Sequence, residues 1–180
     1  MIPKKLHTKV QAELQAYLSV AFGEVTVRIG EDIHYKGTNL VITSPVFKGL
    51  FPEQRFHHVV RAVPPEFYDR YLRSGVVWFE LAPGESATDL MKMPRSDDVA
   101  VREDEIVRRL GDVDFAQKLE SKLDGRPERA SVTDFRDSRR ILAKAGLSEE
   151  EVTSACLLLI RRGAFCDAQV VADVLPKLAV

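Results

Sequence analysis

The chain has 180 residues, of which 26 are basic and 27 acidic, so its formal net charge is −1. This balance excludes a sequence-wide basic field for nucleic acid or an anionic membrane, and any such partner needs a local patch. The longest purely apolar run, residues 155–160, is too short for a bilayer span of about 20 residues. Because the N-terminal MIPKKLHTKV also lacks a secretory signal pattern, we expect a cytoplasmic protein without a membrane segment.

Two cysteines, Cys156 and Cys166, are the only thiols of the chain. They do not form a C-x-x-C pair with metal-ligand spacing, and two thiols alone cannot complete a zinc site. Cys156 falls on the apolar face of a predicted helix, where a free thiol behaves as a small hydrophobic side chain. We therefore expect buried thiols rather than a redox pair.

The first forty residues predict a helix followed by a hairpin. Apolar residues recur at three- and four-residue spacing over 3–22, and Gly23 ends that helix. Alternating apolar residues at 25–29 and a β-rich run at 40–43 predict two strands, joined by a loop that contains His34.

The next fifty residues predict two helices and a third strand. A short turn over 45–52 leads into the first helix, and Pro64 and Pro65 separate it from the second. Residues 76–81 are rich in β-branched and aromatic residues and predict the third strand. A short capped helix is expected at 86–91.

A polar, charged stretch predicts a boundary in the middle of the chain. We interpret residues 1–92 as one α/β domain, 93–98 as a linker and 99–180 as an α-helical bundle domain. The predicted fold class is therefore α+β, with the order α-β-β-α-α-β and a three-stranded sheet in the first domain.

The clearest helix signals of the second half lie near its end. Ser148 and Glu151 form a capping-box pattern ahead of an apolar face. Asp167 is predicted to cap the last helix in the same way.

The N-terminal half resembles the BolA-like family, whose small α/β layout is shared with class II KH domains. The opening MIPKKL is similar to the Met-Ile-x-x-Lys-Leu start of BolA-like chains, and Ser44, Phe47 and Gly49 match their Ser-x-x-Phe-x-Gly strand end. Arg55 stands where the family's Arg-His-Arg begins. In this motif Ser44 can cap the turn, Phe47 can fill the seam between sheet and helix, and Gly49 permits a backbone angle that a Cβ resists, so we expect structural roles.

The resemblance also implies a partner and a cofactor chemistry. BolA-like proteins pair with monothiol glutaredoxins around an iron–sulfur centre, and the histidine after their motif arginine resembles a cluster ligand. Phe56 occupies that position in this chain, and His57 follows it. We therefore predict no cofactor, with iron–sulfur or metal carriage kept as an alternative.

Four residues are the candidate contacts with a partner or ligand: His34, Arg55, His57 and His58. Imidazole titrates near neutral pH, which invites a metal or general-base interpretation. Adjacent residues on a helix point apart, so His57 and His58 cannot chelate one ion from the same helix face. A metal site would require His34 or a carboxylate brought in by the fold.

A nucleic-acid function is the second alternative. No two glycines are three residues apart, so the Gly-x-x-Gly loop of KH domains is absent. Basic and aromatic residues of the first half could still line a surface for single strands, although acidic residues are interspersed among them. That set comprises Lys48, Arg55, Arg61, Arg70 and Arg73 with Phe51 and Tyr68.

No catalytic motif is found: the chain has no phosphate-binding glycine loop, no His-Glu-x-x-His and no nucleophile elbow. We expect a non-enzymatic adaptor whose helical half docks a protein partner through a groove. Three arginine doublets near helix ends allow a phosphate role as well, namely Arg108-Arg109, Arg139-Arg140 and Arg161-Arg162.

Overall fold

The structure is a computed structural model that describes residues 2–31, 37–124 and 126–178. The chain divides into two units. They comprise Met1–Met93 and Pro94–Val180. Helices and a three-stranded sheet are both present, so the predicted α+β class is confirmed.

The first unit follows the predicted order of helix, strand, strand, helix, helix and strand. Its elements are a 3-10 turn (Lys4–Leu6), α1 (His7–Phe22), β1 (Thr26–Glu31), β2 (Thr38–Thr43), a 3-10 turn (Pro45–Phe47), α2 (Pro52–Ala62), α3 (Pro65–Phe67) continued by a π-helical turn (Tyr68–Leu72), β3 (Val76–Leu81) and α4 (Ala87–Lys92). Gly23 has a φ of 71° at the end of α1, a conformation that glycine adopts readily.

The sheet has the strand order β1-β2-β3. β1 and β2 are antiparallel, as the hairpin prediction requires, with Ile29 opposite Leu40. β2 and β3 are parallel, with Leu40 opposite Trp78. β1 and β3 are therefore the two edge strands.

The core of the first unit lies between α1 and one face of this sheet. Val10, Leu14 and Leu18 recur every four residues along α1 and are fully buried. Leu40 and Ile42, two apart in β2, are buried in the same apolar cluster. The helical and strand periodicities of the sequence thus meet in one core.

The outer edge of β1 is covered by glutamines of α1. Gln15 accepts a hydrogen bond from the Val27 N–H at 2.8 Å and donates one to the Val25 carbonyl at 2.6 Å. Gln11 accepts one from the Ile29 N–H at 3.1 Å. These side chains satisfy backbone groups that an edge strand otherwise leaves open to another chain.

The second unit is helical throughout its described elements. They are a 3-10 helix (Ser96–Arg102), α5 (Glu103–Asp112), α6 (Phe115–Leu123), a 3-10 turn (Pro127–Arg129), α7 (Arg136–Lys144), α8 (Glu149–Arg161), α9 (Asp167–Gln169) continued by a π-helical turn (Val170–Val174), and α10 (Leu175–Leu178).

The predicted linker at 93–98 is partly helical. The 3-10 helix Ser96–Arg102 begins within it and packs against α8, and its Val99 is buried. The sequence did not reveal this helix because a single buried apolar residue in a short charged segment gives no periodic pattern.

The two capping predictions of the second half have different outcomes. The capping box of Ser148 and Glu151 is confirmed at the start of α8. The prediction for Asp167 was wrong: Asp167 is the first residue of α9, and its side chain instead bonds the start of α7.

The length and hydropathy of the helices decide whether any of them could span a membrane. Within the described parts of the chain, every helix is too short or too polar to cross a bilayer.

Candidate functional site

Arg55 lies near the start of α2, and its side chain is completely buried, with 0% exposure. Its guanidinium makes two hydrogen bonds with Glu85, from Nη1 to Oε2 at 2.5 Å and from Nη2 to Oε1 at 3.1 Å. It also donates from Nη1 to the Glu80 carbonyl at 2.8 Å and from Nε to the Leu50 carbonyl at 3.0 Å. Planar, bidentate pairing of this kind suits arginine and not lysine.

Glu85 completes the link between α2 and the turn after β3. Its Oε2 accepts a hydrogen bond from the Ala82 N–H at 2.8 Å. The hydrogen bond from Arg55 is the main reason why the pKa of Glu85 lies below its ordinary value. Glu85 stands thirty residues after Arg55, and no sequence pattern connects the two.

The burial of Arg55 therefore argues against its predicted role as a contact with a partner. An arginine without solvent exposure cannot meet a partner while the unit is folded, and its donors already hold Glu85 and two carbonyls. The structure gives this residue a scaffold position instead, because a buried charge is stable only when paired and hydrogen-bonded.

His57 and His58 follow on α2, and both are partly exposed. Their ring centroids lie 6.5 Å apart with an angle of 70° between the planes, so the rings diverge as expected for adjacent helical residues. Burial lowers the pKa of His57, and the positive charges of Arg61 and His58 lower it further. His34, the fourth candidate contact, lies outside the described residues.

A metal centre would need several ligands in one place. Among residues 2–31, 37–124 and 126–178, no group of three or more His, Cys, Asp or Glu side chains is placed to hold a metal ion. A ligand set that includes His34 falls outside this finding.

Phe56, which the predicted BolA-like resemblance would align with the ligand histidine of that family, lies at the surface with 38% exposure. Its ring packs edge-on against Trp78 of β3, with centroids 5.2 Å apart. Tyr68 is a second aromatic neighbour of Trp78, with ring centroids 6.4 Å apart. The phenyl ring of Phe56 has no atom suited to binding iron, so this side chain cannot replace a ligand histidine.

Ser44, Phe47 and Gly49 all serve the turn between β2 and α2. The Ser44 hydroxyl donates to the Glu24 carbonyl at 2.7 Å and accepts from the Val46 N–H at 3.4 Å. Phe47 is fully buried and packs edge-on against Phe22, with centroids 5.7 Å apart. Gly49 has a φ of 76°, where other residues are strained.

The predicted single-strand surface of the first unit is not assembled as proposed. Arg55 and Phe51, two members of the set, are buried. Arg73 pairs with Asp69 at 3.2 Å, and the guanidinium of Arg70 lies 5.2 Å from the centre of the Tyr71 ring. Arg73 and Arg70 therefore already interact with neighbouring side chains, which leaves less positive charge for binding phosphates.

A cleft of about 300 Å³ lies in the second unit between α5 and α8. Its apolar lining comes from both helices and the turn between α7 and α8. The apolar residues are Ile106, Leu110, Leu147 and Ala155. Ile106 and Leu110 share one face of α5 at four-residue spacing, but only the fold shows that this face meets Leu147 and Ala155.

Two ion pairs border this cleft. Arg109 on α5 pairs with Glu151 on α8 at 3.1 Å. Arg102, at the end of the preceding 3-10 helix, lies 4.0 Å from Glu150 and donates to the Ser154 hydroxyl at 3.4 Å. The cleft has a hydrophobic floor and a charged rim, the arrangement found where proteins dock apolar side chains.

The last arginine doublet is also engaged by carboxylates. Arg161 contacts Asp97 at 2.9 Å and Glu103 at 3.4 Å, and Arg162 contacts Glu103 at 2.6 Å. These contacts depress the pKa of Glu103, chiefly through the hydrogen bond from Arg162. These carboxylates, rather than a phosphate ligand, account for the position of this doublet near the end of α8.

No protein-family model, no curated protein and no solved structure matches the chain. The BolA-like resemblance therefore stays a prediction that rests on the quoted residues.

Proposed function

We propose that the protein is a non-catalytic adaptor that binds a helical segment of a partner protein at the cleft between α5 and α8. The single observation that carries this proposal is the cleft itself, with its apolar floor and its rim of ion pairs. Amphipathic helices bind grooves of this kind by inserting a few apolar side chains.

The size of the cleft defines what enters it. A volume of about 300 Å³ accepts one or two bulky apolar side chains rather than a whole helix. The rest of the partner helix would lie across the rim, which includes Arg102 and Arg109. Such an anchor residue typically contributes most of the binding energy.

Charge around the cleft favours a basic partner segment. With Arg102 and Arg109 paired to Glu150 and Glu151, the remaining charged residues of the lining are Glu105, Asp112 and Arg108. Neither Glu105 nor Asp112 has an ion pair among the described residues, so the rim keeps an excess of one negative charge. Lysine or arginine beside the apolar anchor would complement it.

The two alternatives receive less support from the described side chains. For nucleic acid, Arg109, Arg161 and Arg162 already face carboxylates. For iron–sulfur carriage with a glutaredoxin, Phe56 fills the position of the ligand histidine.

Synthetic helical peptides test the proposal directly. One peptide carries a leucine anchor flanked by lysines, and the other carries the same anchor flanked by glutamates. Fluorescence anisotropy with the full chain should show tighter binding of the lysine peptide, and NMR shifts should concentrate at Leu110 and Ala155.

Charge reversal at the rim supplies the matched control. The double variant Glu105→Lys, Asp112→Lys should weaken binding of the lysine peptide, whereas Glu120→Lys on the exposed face of α6 should not. Binding of neither peptide, or equal binding to both variants, would remove the proposal. Tight, steeply salt-dependent binding of single-stranded oligonucleotides instead would favour the nucleic-acid alternative.

A further inference from the structure

The two edges of the sheet differ in how their backbone groups are satisfied. The outer edge of β1 is covered by Gln11 and Gln15. On the outer edge of β3, Arg55 binds the Glu80 carbonyl. The part of β3 that precedes Glu80 has no comparable cover among the described residues.

The hydrogen bonds at both ends of β3 show which of its residues face outward. The carbonyl of Gly75 accepts a hydrogen bond from the N–H of Thr38, the first residue of β2. The carbonyl of Leu81 accepts one from the N–H of Ser44, the residue that follows β2. In a parallel pair the N–H and C=O of one residue point to the same side, and successive residues alternate. Val77 therefore faces β2 with its backbone, whereas Val76 and Trp78 face away from it.

Two donors and two acceptors are consequently left on this edge. They are the N–H and C=O groups of Val76 and Trp78, which have no hydrogen-bond partner within the described parts of the chain. Val77, between them, has 37% of its surface exposed. A strand edge with free groups and an exposed apolar side chain is a template for another strand.

We infer that β3 pairs with β3 of a second copy of this chain, in an antiparallel arrangement with the two Val77 residues facing each other on the two-fold axis. In this register Val76 of each copy lies opposite Trp78 of the other, and each such pair exchanges two hydrogen bonds. The four bonds use every donor and acceptor that Val76 and Trp78 leave open. The two sheets would join into one of six strands.

The ends of the strand suit this arrangement. Arg55 occupies the Glu80 carbonyl, which limits the ladder to the residues before it. Arg70 precedes β3 and Asp89 follows it, while Arg73 and Glu85 already pair within their own chain, with Asp69 and Arg55. An antiparallel partner places the basic start of one strand beside the acidic end of the other, and a two-fold axis repeats that contact.

A cysteine at the axis tests the register. Facing residues of a non-hydrogen-bonded antiparallel pair have Cα atoms about 4.5 Å apart, which a disulfide can span. Full-length Val77→Cys should form a disulfide-linked dimer under mild oxidation, whereas Val20→Cys, at a position of α1 that is 92% exposed, should not at the same concentration. The native Cys156 and Cys166 are buried and do not compete.

Charge at the axis supplies an independent measurement. Val77→Asp places two like charges together and should raise the dimer dissociation constant in sedimentation equilibrium by about tenfold or more, while Val20→Asp should leave it unchanged. Circular dichroism checks that the variants fold. A wild-type chain that sediments as a monomer at all accessible concentrations would overturn the inference, as would equal disulfide formation by Val77→Cys and Val20→Cys.

Discussion

Asp167 caps helix α7 through Ser138, a residue twenty-nine positions earlier in the chain. Its Oδ1 accepts hydrogen bonds from the Ser138 N–H at 3.0 Å and the Ser138 hydroxyl at 2.6 Å. Its Oδ2 accepts one from the Asp137 N–H at 2.7 Å. Phe135 stands at the N-cap position of α7 and has no side-chain acceptor, so a remote carboxylate replaces the usual local cap.

Asp167→Asn should destabilise the second unit by about 1–3 kcal/mol, because an amide offers one acceptor where two oxygens are needed. Its NH₂ group would face a backbone N–H and leave that donor unsatisfied. Ser138→Ala is the matched comparison, since it removes only the hydroxyl bond and should cost less. Urea unfolding followed by circular dichroism measures both, and equal stability of Asp167→Asn and wild type would contradict the capping role.

Arg55→Met should destabilise the first unit by about 3 kcal/mol or more, because Glu85 loses its cation and two carbonyls lose their donor. The single tryptophan, Trp78, belongs to this unit and reports its unfolding by fluorescence. Arg73→Met removes an exposed pair with Asp69 and should cost less than about 1 kcal/mol. Similar losses for the two variants would mean that the buried network is not stabilising.

The pH dependence of the first unit should carry the signature of Glu85. Its folded pKa is depressed by the Arg55 hydrogen bond, so its contribution is present above the unfolded pKa near 4.5 and is lost as the pH falls through the folded pKa. Glu85→Gln removes this titration. The stability difference between wild type and Glu85→Gln, measured by Trp78 fluorescence, should narrow as the pH falls below about 4.5. A difference that stays constant down to pH 3 would show that Glu85 is not held in its charged form.

Local patterns of the sequence predicted the elements of the fold well. The spacing of Val10, Leu14 and Leu18 gave α1, and β-branched residues gave β3, because each signal lies within a few neighbouring residues. The capping box at Ser148 was readable for the same reason.

Relationships between distant residues could not be predicted in this way. The sequence gives no sign that Arg55 is buried, because its partner, Glu85, lies thirty residues away and follows no motif. Asp167 looks like a cap for its own helix, because a local cap is the commoner use of aspartate. The α5–α8 cleft likewise depends on which two helix faces meet, and periodicity does not determine that.

Gln15→Leu should destabilise the first unit by about 1–3 kcal/mol, since it leaves the Val27 N–H and the Val25 carbonyl without their side-chain partner. Gln117→Leu, at an exposed position of α6, is the control and should have little effect. The Gln15 variant should also aggregate more readily, because the edge of β1 is then open to another strand. Wild-type stability and solubility of Gln15→Leu would show that the glutamine cover is dispensable.

Both thiols should resist labelling in the folded protein. Cys156 and Cys166 are buried, and burial raises the pKa of Cys156 to about 12, so almost no reactive thiolate forms near neutral pH. A thiol-specific chromogenic reagent should therefore label neither cysteine in native buffer and both in denaturant. Asp167→Asn supplies a sensitive comparison, because weakening the cap of α7 should increase the labelling rate by local opening of the second unit. Fast labelling of Cys156 in the folded wild-type chain would contradict its burial on the inner face of α8.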